Sequence, residues 1–599
     1  MQCCSIAGTK LLLFVGLLLI AAGLTLPGLL QHLLNAGIRD AIVWQPDSPA
    51  ATDSRYRGSA DGGGAHDFVQ LFLWNVTNVE GIRNGSKPSL QQVGPYTYQK
   101  NKYKVFAQWD TNGRVATKEY AYYTLVPEMT TAQLDAPIVT LNLPLIGVVE
   151  SIGSVYGPRA EKWLDYAVSV IAAWRDGHVN GLFTRRTAEE MLWGYDDPLL
   201  VRLNRFLPKG MIPSTRVSLL HNMSGPDEAL AQQPVVYDTG AGDLFNIWNV
   251  LSDEGHTEAT CWNGCVERVR GSDGAQFAPG VRRDSTLRVW VGQLYRSETF
   301  VFESNVNWLG VQFLRFTPDP AMLAPDECHY QRIAGLMNVT TPMAVGMSGH
   351  YGDAVGPPVY ISLPHFCGCD PSLTADIDGM QCDFVRHSTH IDVEPITGIS
   401  MRGHMTVQMS SALTAQAKAH LEPKIAASSN ASVVIPIFWQ EENIWAGESD
   451  VRGFKSRVYS VLWYKRMLEC LPVVGFALAA LSLLHLVRLR VANGGLDDNN
   501  VDAQPASWGI HAPLLTPFDA GAGSPFGRAA FDGGGGIVGG GDSLLPSRVI
   551  EDAGSGLSSI AVGHEALEER YRSEHRSLAP PSSPSLPAGA AAPAGGGSR

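Results

Sequence analysis

LLLFVGLLLIAAGLTLPGLL, residues 11–30, carries no charge at any position. A helix rises about 1.5 Å per residue and the hydrocarbon core of a bilayer is about 30 Å thick, so this run has the length of one crossing. A second uncharged run, CLPVVGFALAALSLLHLV at 470–487, becomes long enough once Met467 and Leu468 join it. Trp463 and Tyr464 stand just before it, where an aromatic belt would lie. A signal peptide's apolar region is usually only about 7–15 residues, so the first run reads as a retained span, although Ala21-Ala22-Gly23 offers small residues for cleavage. Two spans then divide the chain into a cytoplasmic leader (1–10), a first transmembrane helix (11–34), a luminal or extracellular ectodomain (35–466), a second transmembrane helix (467–487) and a cytoplasmic tail (488–599).

Flanking charge barely decides the orientation. Lys10, Arg488 and Arg490 lie on one side of the spans, and Lys465 and Arg466 on the other. The middle of the chain decides better. Asn-x-Ser/Thr sequons at Asn75, Asn84, Asn222, Asn338 and Asn430 all fall between the spans, which predicts a glycosylated ectodomain with both termini cytoplasmic. Cys3 and Cys4 then belong to the leader and Cys470 to the membrane edge. Cys261, Cys265, Cys328, Cys367, Cys369 and Cys382 lie in an oxidising space, where an even number reads as disulfides. A net charge of −13 gives no reason to expect a nucleic-acid partner. Glycine runs at 533–536 and 539–541 and the ending SLAPPSSPSLPAGAAAPAGGGSR describe a tail too poor in apolar residues to pack, so disorder is expected there.

Strand signals dominate the ectodomain. FVQLFLWNVTN is rich in aromatic and β-branched residues, and the stretch from Tyr96 to Glu128 alternates on both sides of Asn112-Gly113, a hairpin signature. TLRVWVGQLY, TFVFESNVNWLGVQFLRFT, PPVYISLPHF and SVVIPIFW read as further strands. AEKWLDYAVSVIAAWRDGH places Trp163, Ala167, Val170, Ile171 and Trp174 at helical spacing, and Thr187 with Glu190 forms a capping box. The class is α+β: a large antiparallel sheet with a helical insertion, between two transmembrane helices.

No pattern carries catalysis. A G-x-S-x-G elbow, a P-loop, an H-E-x-x-H pair and an EF-hand are all missing from the sequence. The acidic pairs Asp196-Asp197 and Glu189-Glu190 are consecutive, so they diverge and read as solvated charges. HFCGCDPSLTADIDGMQCDFVRHSTH, residues 365–390, could offer zinc Cys367, Cys369, Cys382, His387 and His390. The C-x-C spacing is tighter than the usual zinc pattern, and an oxidising compartment would consume the thiolates. A disulfide-stapled loop is the better reading, with no metal. C-x-C cysteines rarely bond each other, so Cys382 pairs with Cys367 or Cys369, and the one left over must look to Cys261, Cys265 or Cys328.

NVTN (75–78), VGPYTYQ (93–99), LFTRRTAEEMLWGYDDPLL (182–200), VFESNVNWLGVQFLRF (301–316), PPVYISLPHF (357–366) and DVEPITG (392–398) occur in the order they take in the class B scavenger receptors. The chain resembles that family from about Leu11 to Val487. The resemblance implies a twisted antiparallel β-barrel with a helical apex and an internal apolar tunnel. It implies a receptor that is not an enzyme, needs no cofactor, and binds membrane lipids, fatty acids, sterols or lipoprotein particles. It leaves room for a homo-oligomer. A sorting receptor for a luminal protein is the alternative it allows. The apex would be the helix from Ala160 onward, making Lys162, Trp163, Trp174, Arg175 and His178 candidate ligand contacts. Some relatives carry ligand-binding lysines just before the segment matching Leu182-Phe183, whereas Asp176 to Asn180 here has none. The resemblance also implies a Cys265–Cys328 disulfide and palmitoylation at Cys3 and Cys4. HAPLLTP (511–517) is similar to a dileucine-type sorting signal, but Ile510 stands where an acid is expected, so plasma and endolysosomal membranes both remain open.

Overall fold

The computed structural model describes residues 2–46, 48, 66–156, 182–206, 215–220, 233–345, 357–421 and 432–494. Two long apolar helices, α1 (Gln2–Ile42) and α2 (Ser460–Gly494), flank everything else. Each is long and apolar enough to cross a bilayer. They pack antiparallel and very close. A Cβ built on Gly16 would lie 2.8 Å from the Gly475 carbonyl oxygen, Gly23 abuts Pro472, and Lys465 Nζ donates to Gln31 Oε1 at 2.8 Å. α1 continues past the expected span because Leu34, Ile38 and Ile42 are buried against the ectodomain rather than facing lipid. On the other side a short helix, Glu448–Phe454, and a π-helical turn, Lys455–Tyr459, lead into α2 without a break.

Between the helices lies one 13-stranded antiparallel sheet. Its first strands are β1 (His66–Val76), β2 (Leu90–Asp110), β3 (Arg114–Leu125), β4 (Val235–Asp238) and β5 (Val250–Ser252). Next come β6 (Leu287–Val291), β7 (Arg296–Trp308), β8 (Val311–Pro318), β9 (Met337–Asn338) and β10 (Val359–Ser362). β11 (His390–Val393), β12 (Ser400–Leu413) and β13 (Val433–Trp445) complete it. The hydrogen-bonded order is β6-β7-β8-β11-β12-β13-β1-β2-β3-β4-β5, with β9 on β10 and β10 on β12. The Asn112-Gly113 hairpin forms, but as a three-residue connection between Asp110 and Arg114, with Gly113 at positive φ.

The ends of this path are joined. Val250 N donates to the Gly271 carbonyl, Ser272 N to the Arg288 carbonyl, and Trp290 N to the Ser272 carbonyl. Residues 271–272 thus bridge β5 to β6 and all but close a barrel. Position 271 must be glycine: its φ is +95°, and a Cβ there would lie 2.6 Å from the Arg288 carbonyl carbon.

One sheet face is the enclosed one. The segment after Ser272 crosses it, since Asp273 reaches Lys104 on β2 while a Cβ built on Gly274 would lie within 4 Å of both Val289 on β6 and Ile391 on β11. β2 and β11 are separated by three strands in the sheet order, so one short segment touches both only by running across the concave side. Alternation along the strands puts Asp67, Val69, Leu71, Tyr96, Tyr98, Lys100, Lys102, Lys104 and Glu442 on that face.

Candidate functional site

Strand β2 reads YTYQKNKYK from Tyr96 to Lys104, so two tyrosines and three lysines project alternately onto the enclosed face. Each lysine meets carboxylates from distant elements. Lys100 Nζ lies 3.0 Å from Glu442 Oε1; Lys102 Nζ lies 3.2 Å from the same oxygen and 3.4 Å from Asp67 Oδ2. Lys104 Nζ lies 2.6 Å from Asp273 Oδ2 and 3.7 Å from Glu119, and sits over the rings of Tyr237 and Trp248. Trp248 Nε1 donates to the other Asp273 oxygen.

Burial pushes the Asp67 carboxyl up to about 7, and the Glu442 charge beside it pushes the same way, against Lys102 and Lys100. Burial also pushes Glu442 up, but Lys100 and Lys102 outweigh it and hold that carboxylate well below its usual range. The two acids therefore behave as a pair that keeps one proton near neutrality, and the ladder stays close to charge balance. Burial raises Tyr96 to about 12, so that hydroxyl stays protonated and can donate to the Gln133 carbonyl.

The ladder adjoins an apolar cluster shared with the membrane helices. Leu34, Ile38, Ile42 and Trp44 from the α1 end pack with Val115, Tyr237 and Trp248 of the barrel, and Leu462 of α2 joins them. Packed apolar side chains thus run from the membrane helices to the rings under Lys104.

Outside the barrel, His365 and His387 of segment 364–390 stack on each other and pack edge-on against Trp439. Cys367–Cys382 is a disulfide, and so is Cys265–Cys328. Cys261 and Cys369 are free, which corrects the expectation that all six ectodomain cysteines pair. They are held apart in different cores: Cys369 donates to the Gly335 carbonyl, while Cys261 lies buried beside Trp262. The zinc reading fails on the same geometry. Two of its sulfurs are bonded together, His387 Nδ1 accepts from Asp383 N, and His390 stacks on His404. Asp326, Cys328 and His329 also converge, but Cys328 has no thiolate to give, and His329 lies between the carboxylates of Asp326 and Glu267.

His365 Nε2 donates to Gln92 Oε1, which also accepts from Trp439 Nε1, while Nδ1 accepts from Gln381 N. This fixes a neutral tautomer, and burial, with His387 and Arg386 nearby, pulls the ring down to about 4. Nearby, four residues close a ring. His404 bonds Asn443 Oδ1 and the Arg386 carbonyl, both at 2.8 Å; Asn443 Nδ2 donates to Glu441; Arg386 Nε donates back to Glu441.

Asn84 is exposed, whereas Asn75 Oδ1 accepts from Val139 N and Asn338 Oδ1 from Thr340. Asn222, Asn430, Lys162, Trp163, Trp174, Arg175, His178, the 511–517 motif and the rest of the tail beyond Gly494 lie outside the described residues. Cys3 and Cys4 fall within α1, their side chains outside those described. The Thr187–Glu190 capping box is present in both directions. Asp197 is not a solvated charge: it is buried, accepts from Leu199 N and Leu200 N, and faces Arg186.

Residues 61–487 match the model of the CD36 family. The chain belongs to the CD36 family. It is 25% identical over 398 residues to rat (Rattus norvegicus) lysosome membrane protein 2, covering 66% of this chain and 78% of that one. It is 24% identical to the human (Homo sapiens) protein of the same name, over 75% of this chain and 87% of that one. Bovine (Bos taurus) scavenger receptor class B member 1 is 25% identical over 63% of this chain and 70% of its own length. Membership makes this an integral membrane protein with two spans, a receptor rather than an enzyme, with lipid or lipoprotein ligands as a class. The CD36 family resemblance was carried by local strand motifs. The lysine ladder is equally visible as K-x-K-x-K, but the acids that explain it are not its sequence neighbours.

Proposed function

We propose that this chain is a lipid receptor that passes lipid between its ectodomain and the membrane along the enclosed face of the barrel. The observation that carries the reading is the continuous apolar cluster joining Leu34, Ile38 and Leu462 of the membrane helices to Tyr237 and Trp248 inside the barrel. A lipid leaving a particle needs such cover, because each exposed methylene costs about 0.8 kcal/mol. The paired lysines and acids next to it offer a polar station for a headgroup, and no bond-making step is required.

The ectodomain is luminal or extracellular in this reading, with glycans on exposed sequons such as Asn84, palmitate on Cys3 and Cys4, and both termini in the cytosol. Two disulfides between the spans support the placement, since such bonds persist in oxidising compartments. Plasma and lysosomal membranes both fit.

Mass spectrometry of lipid copurifying with the ectodomain tests the proposal. Ala121, on β3 opposite Lys102, is the place for a plug. Ala121→Trp should abolish the bound lipid and lipid transfer while the disulfides still form. An ectodomain that carries no lipid but captures a luminal protein would instead support the sorting-receptor reading.

A further inference from the structure

Phe245 is 79% exposed, more than any other aromatic side chain among the described residues. It sits in a short 3-10 turn, Leu244–Asn246, started by Asp243, whose side chain accepts from Phe245 N. The loop is tied to the end of α1. Arg39 donates to the Ala241 carbonyl at 3.1 Å, Trp44 N donates to the Thr239 carbonyl, and Leu244 packs against the cluster containing Leu34 and Ile38. The turn is held rigidly while its largest apolar group faces outward, away from the core its neighbour Leu244 enters.

The level of the membrane surface can be read from the two helices. The Lys465–Gln31 contact marks the polar edge of the spans. Leu33, Trp463 and Tyr464, just beyond it, are 43%, 54% and 57% exposed, an apolar band where an interfacial belt belongs. Arg39 is about 12 Å further along α1 at 1.5 Å per residue. Three residues lie between Ala241 and Phe245, four steps that reach about 13 Å at most, and the headgroup layer adds about 5–7 Å above the hydrocarbon. The ring is therefore within range of that layer.

We propose that Phe245 enters the headgroup layer of the membrane that α1 and α2 cross, making loop 240–246 a third contact between the chain and a lipid surface. The contact fixes the tilt of the ectodomain on its two stalks, and with it the height at which the α1 end of the apolar cluster meets the bilayer.

The test uses the full chain in phosphatidylcholine nanodiscs, with Phe245→Cys carrying an environment-sensitive fluorophore. Val385→Cys is the comparison, because Val385 is 87% exposed on the disulfide-stapled turn. The labelled wild type corrects for background thiols. Headgroup-spin-labelled phosphatidylcholine should quench the probe at 245 several-fold more than the probe at 385, and iodide should do the reverse. Equal iodide quenching at both positions, without lipid quenching, overturns the proposal. So does a probe at 245 shielded from both quenchers, which would place a protein there instead.

Discussion

Gly16 and Gly475 meet backbone to backbone where α1 crosses α2: a Cβ on Gly475 would lie 2.6 Å from the Gly16 carbonyl oxygen and 2.8 Å from Ile20. In lipid, helix pairs are held by close van der Waals fit rather than by a hydrophobic drive, and small residues allow it. Gly475→Leu should push the helices apart, at a cost of about 1–3 kcal/mol of overpacking. Cysteines at positions 31 and 465, which hydrogen-bond in the native pair, report this by cross-linking. Undiminished cross-linking in the Gly475→Leu background would show that the glycines are incidental.

Lys102 lies between two buried carboxylates, so Lys102→Met takes away the cation that Asp67 pairs with and leaves Glu442 with Lys100 alone. Breaking a buried pair by removing one partner costs about 3–5 kcal/mol. Asp67→Asn should cost far less, because that carboxyl already holds its proton near neutrality. Urea melts of the two variants at pH 7 separate the cases. Equal losses would mean that Asp67 is ionised.

The contrast between these two sites shows what the sequence could disclose. The spans, the hairpin at Asn112-Gly113 and the Thr187–Glu190 cap rest on residues a few positions apart, so local pattern is enough to find them. The ladder does not. Its lysines are plain in β2, but Asp67 and Glu442 come from strands at opposite ends of the ectodomain, brought together only because β1 pairs with both β2 and β13. The cysteines fail for the same reason. Counting six in an oxidising space predicts three bonds, yet Cys261 is buried in one cluster and Cys369 is half-buried against another, so neither reaches the other. Asp197 reads as solvated in the sequence because consecutive acids diverge; only the fold shows that it accepts from Leu199 N and Leu200 N and faces Arg186.

Acid should weaken the ectodomain below about pH 6.5. His365 and His390 are each lowered from 6.5 to about 4, chiefly by burial, so between those values the unfolded chain binds protons that the folded one refuses. Stability is then lost as pH falls through that window. Asp67 acts in the opposite sense. Raised from 3.8 to about 7, it holds a proton in the fold that the unfolded chain releases, and so favours the folded state as pH falls from 7 towards 4. Among these three groups the two histidines outweigh the one acid, which leaves a loss. His390→Gln should flatten the fall in melting temperature from pH 7 to 4.5, and Asp67→Asn should steepen it. A slope that neither substitution changes would remove these groups as its source.

The Cys367–Cys382 bond closes a loop of 15 residues, worth about 3 kcal/mol in the chain-entropy account. Cys382→Ser should cost roughly that much. Cys369→Ser should cost much less, because it removes only a thiol donating to the Gly335 carbonyl. Thermal melts of the two variants, with mass mapping of the remaining bond, decide the matter. If Cys369→Ser were the costlier change, and the peptide carrying Cys382 were found linked through position 369 in the wild type, the pairing would be the other one.

Of the three described sequons, Asn84 should carry a glycan and Asn75 should not. Asn84 is exposed beside Gly85, which turns the chain at a φ of +90° after the short helix Val79–Arg83. Asn75 lies within β1, paired to Gln91, with its side-chain oxygen accepting from Val139 N. Asn75 is half-buried in a strand already paired to β2, so its Nδ2 is less open to the transferase than that of the exposed Asn84. Removing N-glycans enzymatically from Asn84→Gln should produce a smaller mobility shift than in the wild type, whereas Asn75→Gln should leave the shift unchanged. A reduced shift for Asn75→Gln would mean that the sugar is attached before β1 pairs, while the segment is still extended and open to the transferase.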